Sequence, residues 1–205
     1  IMKFTHLHVH SHYSVLDGMS KVPDLVDKAI RLGMPAIALT DHGCMYGIKE
    51  FVDLVGKANK GADKPLKPII GIETYCARRS RLLKDNQVKE LNGEGKEIII
   101  DRGGWHLILL AKNKTGYKNL CKLSSIAFID GFYNRPRIDK ELLEQYHEGL
   151  IVTSACLGGE IPQKVMECLL LPVEMPLEER FSPVIDAVKW FKGVFGDDYY
   201  IELQR

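Results

Sequence analysis

Residues 22–43, VPDLVDKAIRLGMPAIALTDHG, decide the fold. In the first half Val22, Leu25, Val26, Ala29 and Ile30 recur at helical spacing, and Gly33 follows as a stop. In the second half PAIAL is an unbroken apolar run, the pattern of a strand buried on both faces as in a parallel sheet. The run ends abruptly in Thr40-Asp41-His42-Gly43. A helix followed by a doubly buried strand and then a polar tip is the repeating unit of an α/β protein.

The same unit recurs outward from this stretch. Upstream, THLHVHSHYS (5–14) places His6, His8, His10 and His12 at every second position, four of the chain's seven histidines. Alternation of this kind predicts a strand whose polar face is made of imidazole, with Leu7 and Val9 turned to apolar partners. Downstream, YGIKEFVDLVGKANK predicts a helix, KPIIGIETY a strand, WHLILLAKN a strand and TGYKNLCKLSSIAF a helix. KELLEQY predicts a short helix, GLIVTSA a strand, GEIPQKVMECLL a helix interrupted early by Pro162, SPVIDAVKWFKGVFG a helix and DYYIELQ a last strand. Repeated β–α units with buried parallel strands imply a barrel or an open doubly wound sheet. Residues 78–103 break the rhythm: charged and punctuated by glycine, they predict an exposed hairpin or mobile insertion with a strand at KEIII. Their arginines read as a solvated face rather than a nucleic-acid patch.

Composition narrows the class. With 45% hydrophobic and 27% charged residues, the 205-residue chain has the make-up of a soluble globular domain. Its 28 basic and 27 acidic residues leave a net charge of +1, too little for an autonomous nucleic-acid binder, whose phosphate attraction needs a basic surface. A domain inside a larger nucleic-acid machine stays open. The five cysteines form no C-x-x-C, and no apolar run is long enough to span a membrane, so a reducing, cytoplasmic setting is expected.

In parallel α/β folds, sites form where strands give way to loops at their carboxyl ends. Reading those ends gives His8 and His10, with Asp17 in the loop YSVLDG, then His42, Glu73 and Cys156. His106 opens its strand, which is the wrong end by this rule. Taken singly, all but the His8/His10 pair have an ordinary explanation: Asp17-Gly18 as a turn, Asp41-His42-Gly43 as a loop with Asp41 as a helix cap, Glu73 as a surface acid, Cys156 as a small core residue. Jointly they are the mixed imidazole, carboxylate and thiolate set that suits zinc or manganese in a cluster of two or three ions. Such clusters activate a water and clamp the oxygens of a phosphoester. The sequence carries no phosphate loop, dinucleotide fingerprint or nucleophile elbow to suggest another chemistry.

HLHVHSHYSVLDG, AIALTDHGCMYG, PIIGIE, HLILLAKNKTGYKNL, GFYNRPRID and GLIVTSACLGGE resemble, in that order, the polymerase and histidinol phosphatase (PHP) superfamily, in the branch at the N-terminus of bacterial DNA polymerase III alpha subunits. The likeness covers nearly the whole chain and is weakest at 78–101 and 168–182. It implies an α/β fold, a distorted (βα)7 TIM-like barrel, with residues 2–205 as one PHP domain that lacks its last strands and carries an insertion at 78–103. It also implies His8, His10, Asp17, His42, Glu73, His106 and Cys156 as ligands for up to three divalent metals, zinc or else manganese, with His6 and His12 outside the set. Glu73 would bridge two metals, and His106 enters the set on the resemblance alone. An Asp-x-His expected on a later strand has no counterpart here, which implies a truncated piece. The implied activity is metal-dependent phosphoesterase or 3′–5′ proofreading exonuclease chemistry, within a DNA polymerase whose own nucleotidyl-transfer site lies elsewhere. The alternatives are a non-catalytic module that stabilises the polymerase and docks an exonuclease subunit, or a stand-alone PHP phosphatase. The implied partners are the rest of the polymerase, DNA and a proofreading subunit, with no membrane.

Overall fold

The computed structural model describes residues 4–92 and 94–204. Helix α1 (Val22–Arg31) places Pro23 in its first turn, where a missing N–H breaks no helical bond, and buries Val22, Val26 and Ala29. Gly33, at φ +65°, then reverses the chain into β1 (Ala36–Leu39). All four β1 residues are buried: Ile37 and Leu39 pack on α1 and on α2 (Ile48–Ala58), while Ala38 joins Ile108 and Leu110 on the other face. Helix α2 returns the chain to β2 (Lys67–Cys76), parallel to β1 from Ala36↔Lys67 to Leu39↔Ile70.

Between β2 and the next strand of the main sheet the described residues form no α-helix, only a 3-10 turn at Ile100–Arg102. Strands β3 (Lys89–Leu91) and β4 (Glu97–Ile99) form a separate antiparallel hairpin, the predicted insertion. A parallel neighbour needs a crossover to carry the chain back to its starting end, and a hairpin does not supply one. Strand β5 (Trp105–Ala111) therefore runs antiparallel to β2, from Gly71↔Leu110 to Cys76↔Trp105, which corrects the expectation of parallel strands throughout. Helix α3 (Lys114–Ile129) follows, capped by the Asn113 side chain, then β6 (Arg137–Ile138), parallel to the tip of β2. Helix α4 (Lys140–Gln145), capped by Asp139, leads to β7 (Leu150–Thr153), which is antiparallel to β5. Helices α5 (Glu160–Leu169), α6 (Leu177–Arg180) and α7 (Ser182–Phe195) precede β8 (Tyr199–Tyr200), parallel to β7. Pro162 falls in the first turn of α5 and does not interrupt it.

The result is a mixed α/β sheet in the order β1-β2-β5-β7-β8, with β6 beside β2. Leu107 and Leu109 face a helical core with Leu120, Leu123, Leu143 and Phe191. On the opposite face a small apolar layer of Ala38, Ile108, Leu110 and Ala155 floors the polar residues described below. No ladder among the described residues joins β8 back to β1. The histidine segment lies along the free edge of β1, where Ala38 N–H donates to the His6 carbonyl and Thr40 N–H to that of Val9. Between those bonds it takes three steps against two on β1, so it is not a regular strand and its alternation slips. Leu7 is consequently exposed, while Val9 packs on the α1–α2 core.

The insertion is tied down by charge. Arg79 pairs with Asp101, and Arg81 with Asp139 and Glu141. Arg137, fully buried, donates to the carbonyls of Arg81, Leu83, Asp101 and Gly131. Arg81 and Arg137 are anchored rather than solvated, Arg79 is exposed but paired with Asp101, and Arg102 is exposed with no carboxylate partner among the described residues. No described helix is long and apolar enough to cross a membrane.

Candidate metal centre

Glu73 lies inside β2, not at its end, and is fully buried. Pairing places it opposite Ile108, with Tyr75 opposite His106 one row above on the same face. Because β5 is reversed, its first residues lie beside the carboxyl end of β2. His106 therefore reaches the site from the start of a strand, and the strand-end rule excluded it only by assuming parallel strands.

Four imidazoles surround the Glu73 carboxylate. His10 Nε2 and His42 Nδ1 lie 2.8 and 2.7 Å from Oε2; His106 Nδ1 and His8 Nε2 lie 2.8 and 3.4 Å from Oε1. Asp17 Oδ2 sits 2.7 Å from His10 Nδ1 and 3.2 Å from His42 Nε2. The Cys156 thiol is 3.4 Å from His106 Nδ1 and 3.6 Å from Glu73 Oε1. It follows Ala155, whose φ of +59° turns the chain sharply after β7. All seven residues expected from the sequence come together. His6 and His12 stay out, exposed beside Phe4 and Tyr13 respectively.

Asp41 holds the histidine segment to this scaffold. It is buried, and its carboxylate accepts from the backbone N–H and hydroxyl of Ser11 and from the hydroxyl of Ser14. Ser14 Oγ in turn accepts the His42 N–H. Asp41 thus fixes the loop, and is not the helix cap that its position before α2 allowed; the α2 N-cap is Gly47. Residues 14–18 form a turn through bonds to the Ser14 carbonyl, so Asp17 is both a turn residue and a site residue.

Sequence reasoning missed Glu202. Its carboxylate takes His8 Nδ1 at 2.8 Å and the Thr153 hydroxyl at 2.6 Å, which turns His8 Nε2 toward Glu73. Gln204 donates to the same carboxylate. The available signal was chemical: a ligand imidazole normally has an acceptor on its second nitrogen.

The electrostatics follow from one buried acid among bases. Burial alone would raise Glu73, but the facing imidazoles of His10, His106, His42 and His8 hold it far below the usual carboxylate range. Burial opposes charge on His8, yet its bonds to Glu202 and Glu73 pull the pKa up to about 10. His106 rises to about 9, against burial, through Cys156 and Glu73. The hydrogen bond from His10 holds Asp17 low.

A metal fits this arrangement better than hydrogen bonds alone. His42 Nδ1 and Glu73 Oε2 are buried and neither makes an aligned hydrogen bond, although His42 Nδ1 and His10 Nε2 both lie at ion-pair distance from that oxygen. Such atoms are costly to bury unless their lone pairs are used. Three overlapping ligand sets, each with donor atoms within 4.8 Å, are His8–His10–Glu73, His10–Asp17–His42 and His42–Glu73–His106. Glu73 and the imidazoles shared between sets are what a cluster of ions needs. A solvent-open cavity of about 620 Å³ gives access to His8, His10, Asp17, His42, His106 and Cys156.

The PHP domain family model matches residues 6–205. DNA polymerase III subunit alpha of Borreliella burgdorferi is 48% identical over 203 residues, covering 99% of this chain and 15% of its own length. The Thermus aquaticus subunit is 41% identical over 206 residues, covering 100% of this chain and 15% of its own length. The chain thus spans about 15% of the length of these curated relatives.

Proposed function

This chain belongs to the PHP domain family, and we propose that it is the metal-binding PHP domain of a bacterial DNA polymerase III alpha subunit, with phosphodiesterase chemistry of the 3′–5′ exonuclease kind. The observation that carries this reading is the buried Glu73 carboxylate, faced by four imidazoles and a thiol. His8, His10, Asp17, His42, Glu73, His106 and Cys156 would hold up to three divalent ions, with zinc favoured by the thiol and nitrogen donors over manganese. Bound ions of this kind polarise phosphoryl oxygens and lower the pKa of a water. The chain's own residues supply the frame: Glu202 and Asp17 fix the ring orientations of His8 and His10, and Asp41 fixes the loop that carries them. The mixed sheet would belong to the distorted (βα)7 barrel of the family. The rest of the polymerase, DNA and a proofreading subunit would be its partners, in the cytoplasm.

Metal content after dialysis against zinc or manganese, and release of nucleotides from a single-stranded 3′ end, test this reading. His10→Ala, Glu73→Ala and Cys156→Ala should each lose metal, while His12→Ala keeps it. A wild-type chain that binds no divalent ion refutes the centre. One that binds metal but hydrolyses nothing, even within the full-length subunit, supports the interaction-module alternative.

A further inference from the structure

Next to the centre a second cleft, of about 710 Å³, shares Asp17, His42 and His106 with it. Its volume lies within the ~300–1,000 Å³ typical of ligand sites. Arg78, Arg102 and Arg135 line it, from three separate segments: the end of β2, the turn after β4 and the loop before β6. Arg78 is partly engaged, lying 5.0 Å from the Trp105 ring and 3.4 Å from Glu90. Arg102 and Arg135 are exposed, and neither has a carboxylate partner among the described residues. The carboxylates on the same wall are already engaged, Asp17 by His10 and His42 and Glu97 by Lys89. Arg135 also lies over the Tyr75 ring, which stacks on His42, so its charge sits at the edge of the centre. Apolar lining comes from Val15, Leu16 and Ile98, with Leu16 fully exposed at φ +71°.

Two guanidinium groups without a carboxylate partner, on a cleft that opens onto a metal-type centre, call for a ligand with repeated negative charge. Inorganic phosphate needs a compact set of donors around one point. Here the cations are distributed along the cleft and interleaved with apolar side chains, which matches a strand whose charged phosphates alternate with apolar sugar and base faces.

We propose that this cleft seats a single nucleic-acid strand leading into the centre, with phosphates on Arg102 and Arg135 and sugar or base faces on Val15, Leu16 and Ile98. The proposal deepens the phosphodiesterase reading and rests on it for the identity of the ligand. The near-neutral chain as a whole makes the binding weak and local rather than a property of net charge.

The test is fluorescence anisotropy of a labelled dT12 oligonucleotide with the 205-residue chain, without metal, at 50 and 200 mM salt. Two phosphate contacts at a slope of about 0.7 each predict a roughly sevenfold loss of affinity over that range. Arg102→Ala or Arg135→Ala should weaken binding and reduce the salt effect to about 2.6-fold. Zinc content after separate dialysis of each protein against zinc should not change in either variant. Affinity and salt dependence equal to wild type in the chain carrying both Arg102→Ala and Arg135→Ala would overturn the proposal. So would absence of oligonucleotide binding to the wild-type chain alongside direct binding of millimolar inorganic phosphate, followed by phosphorus NMR, which assigns the cleft to a small phosphate. Loss of metal binding in wild type, with the oligonucleotide result intact, would instead refute the metal centre alone.

Discussion

Replacing Arg137 with leucine tests whether one buried cation holds the insertion in place. The guanidinium is fully buried, and its bonds to Gly131, Arg81 and Leu83 carbonyls measure 2.9, 2.7 and 2.9 Å, with Asp101 as the fourth acceptor. Hydrogen bonds from a charged donor contribute about 1.5–3 kcal/mol each, so a plain sum would reach ~6–12 kcal/mol. Two effects reduce it: leucine avoids the several kcal/mol spent desolvating a guanidinium, and part of the carbonyl set rehydrates. A net loss of about 3–5 kcal/mol remains, which lowers the melting temperature by on the order of 10 °C for a domain of this size. Arg137→Lys keeps the charge but presents one donor point instead of a planar fork, and should lose most of the same stability. Urea unfolding gives the global value. Hydrogen exchange at the amides of Arg81 and Asp85, which donate to Asp139 and Asp101, gives the local one. If the leucine variant loses less than about 1 kcal/mol globally and leaves those amides protected, the reasoning from four buried acceptors is wrong.

Glu202→Ala frees His8 Nδ1 and should weaken metal binding about 10–100-fold, measured by competition with a chromophoric chelator; unchanged affinity would remove Glu202 from the site. In the metal-free protein, His8 and His106 have folded pKa values of about 10 and 9, above the ordinary 6.5, so their contribution to stability is complete below about pH 6.5 and lost as pH rises through about 9 to 10. Melting in chelator should fall over that window, and Glu73→Gln should flatten the fall. A Cβ on Gly158 would come within 3.0 Å of the His106 ring, so Gly158→Ala should displace that imidazole and reduce metal content while the fold, followed by circular dichroism, survives.

The sequence by itself determined the elements and the ligand types. Periodicity located α1, β1, α2, β2, α3 and α7, because amphipathic helices and doubly buried strands leave local signatures. Donor chemistry picked out His8, His10, Asp17, His42, Glu73 and Cys156, since few other reasons concentrate imidazole and carboxylate at strand ends. Strand direction was not read, although its cause was written in residues 78–103: with no crossover α-helix among the described residues between β2 and β5, β5 had to reverse. That reversal, a tertiary fact, is what brings His106 beside Glu73. The slipped histidine edge and the reach of Glu202 across 194 residues to His8 were likewise settled only in three dimensions. Local patterns fix which face of an element is buried. Which distant side chain meets it depends on how the whole sheet is paired and twisted, and no window of sequence contains that information.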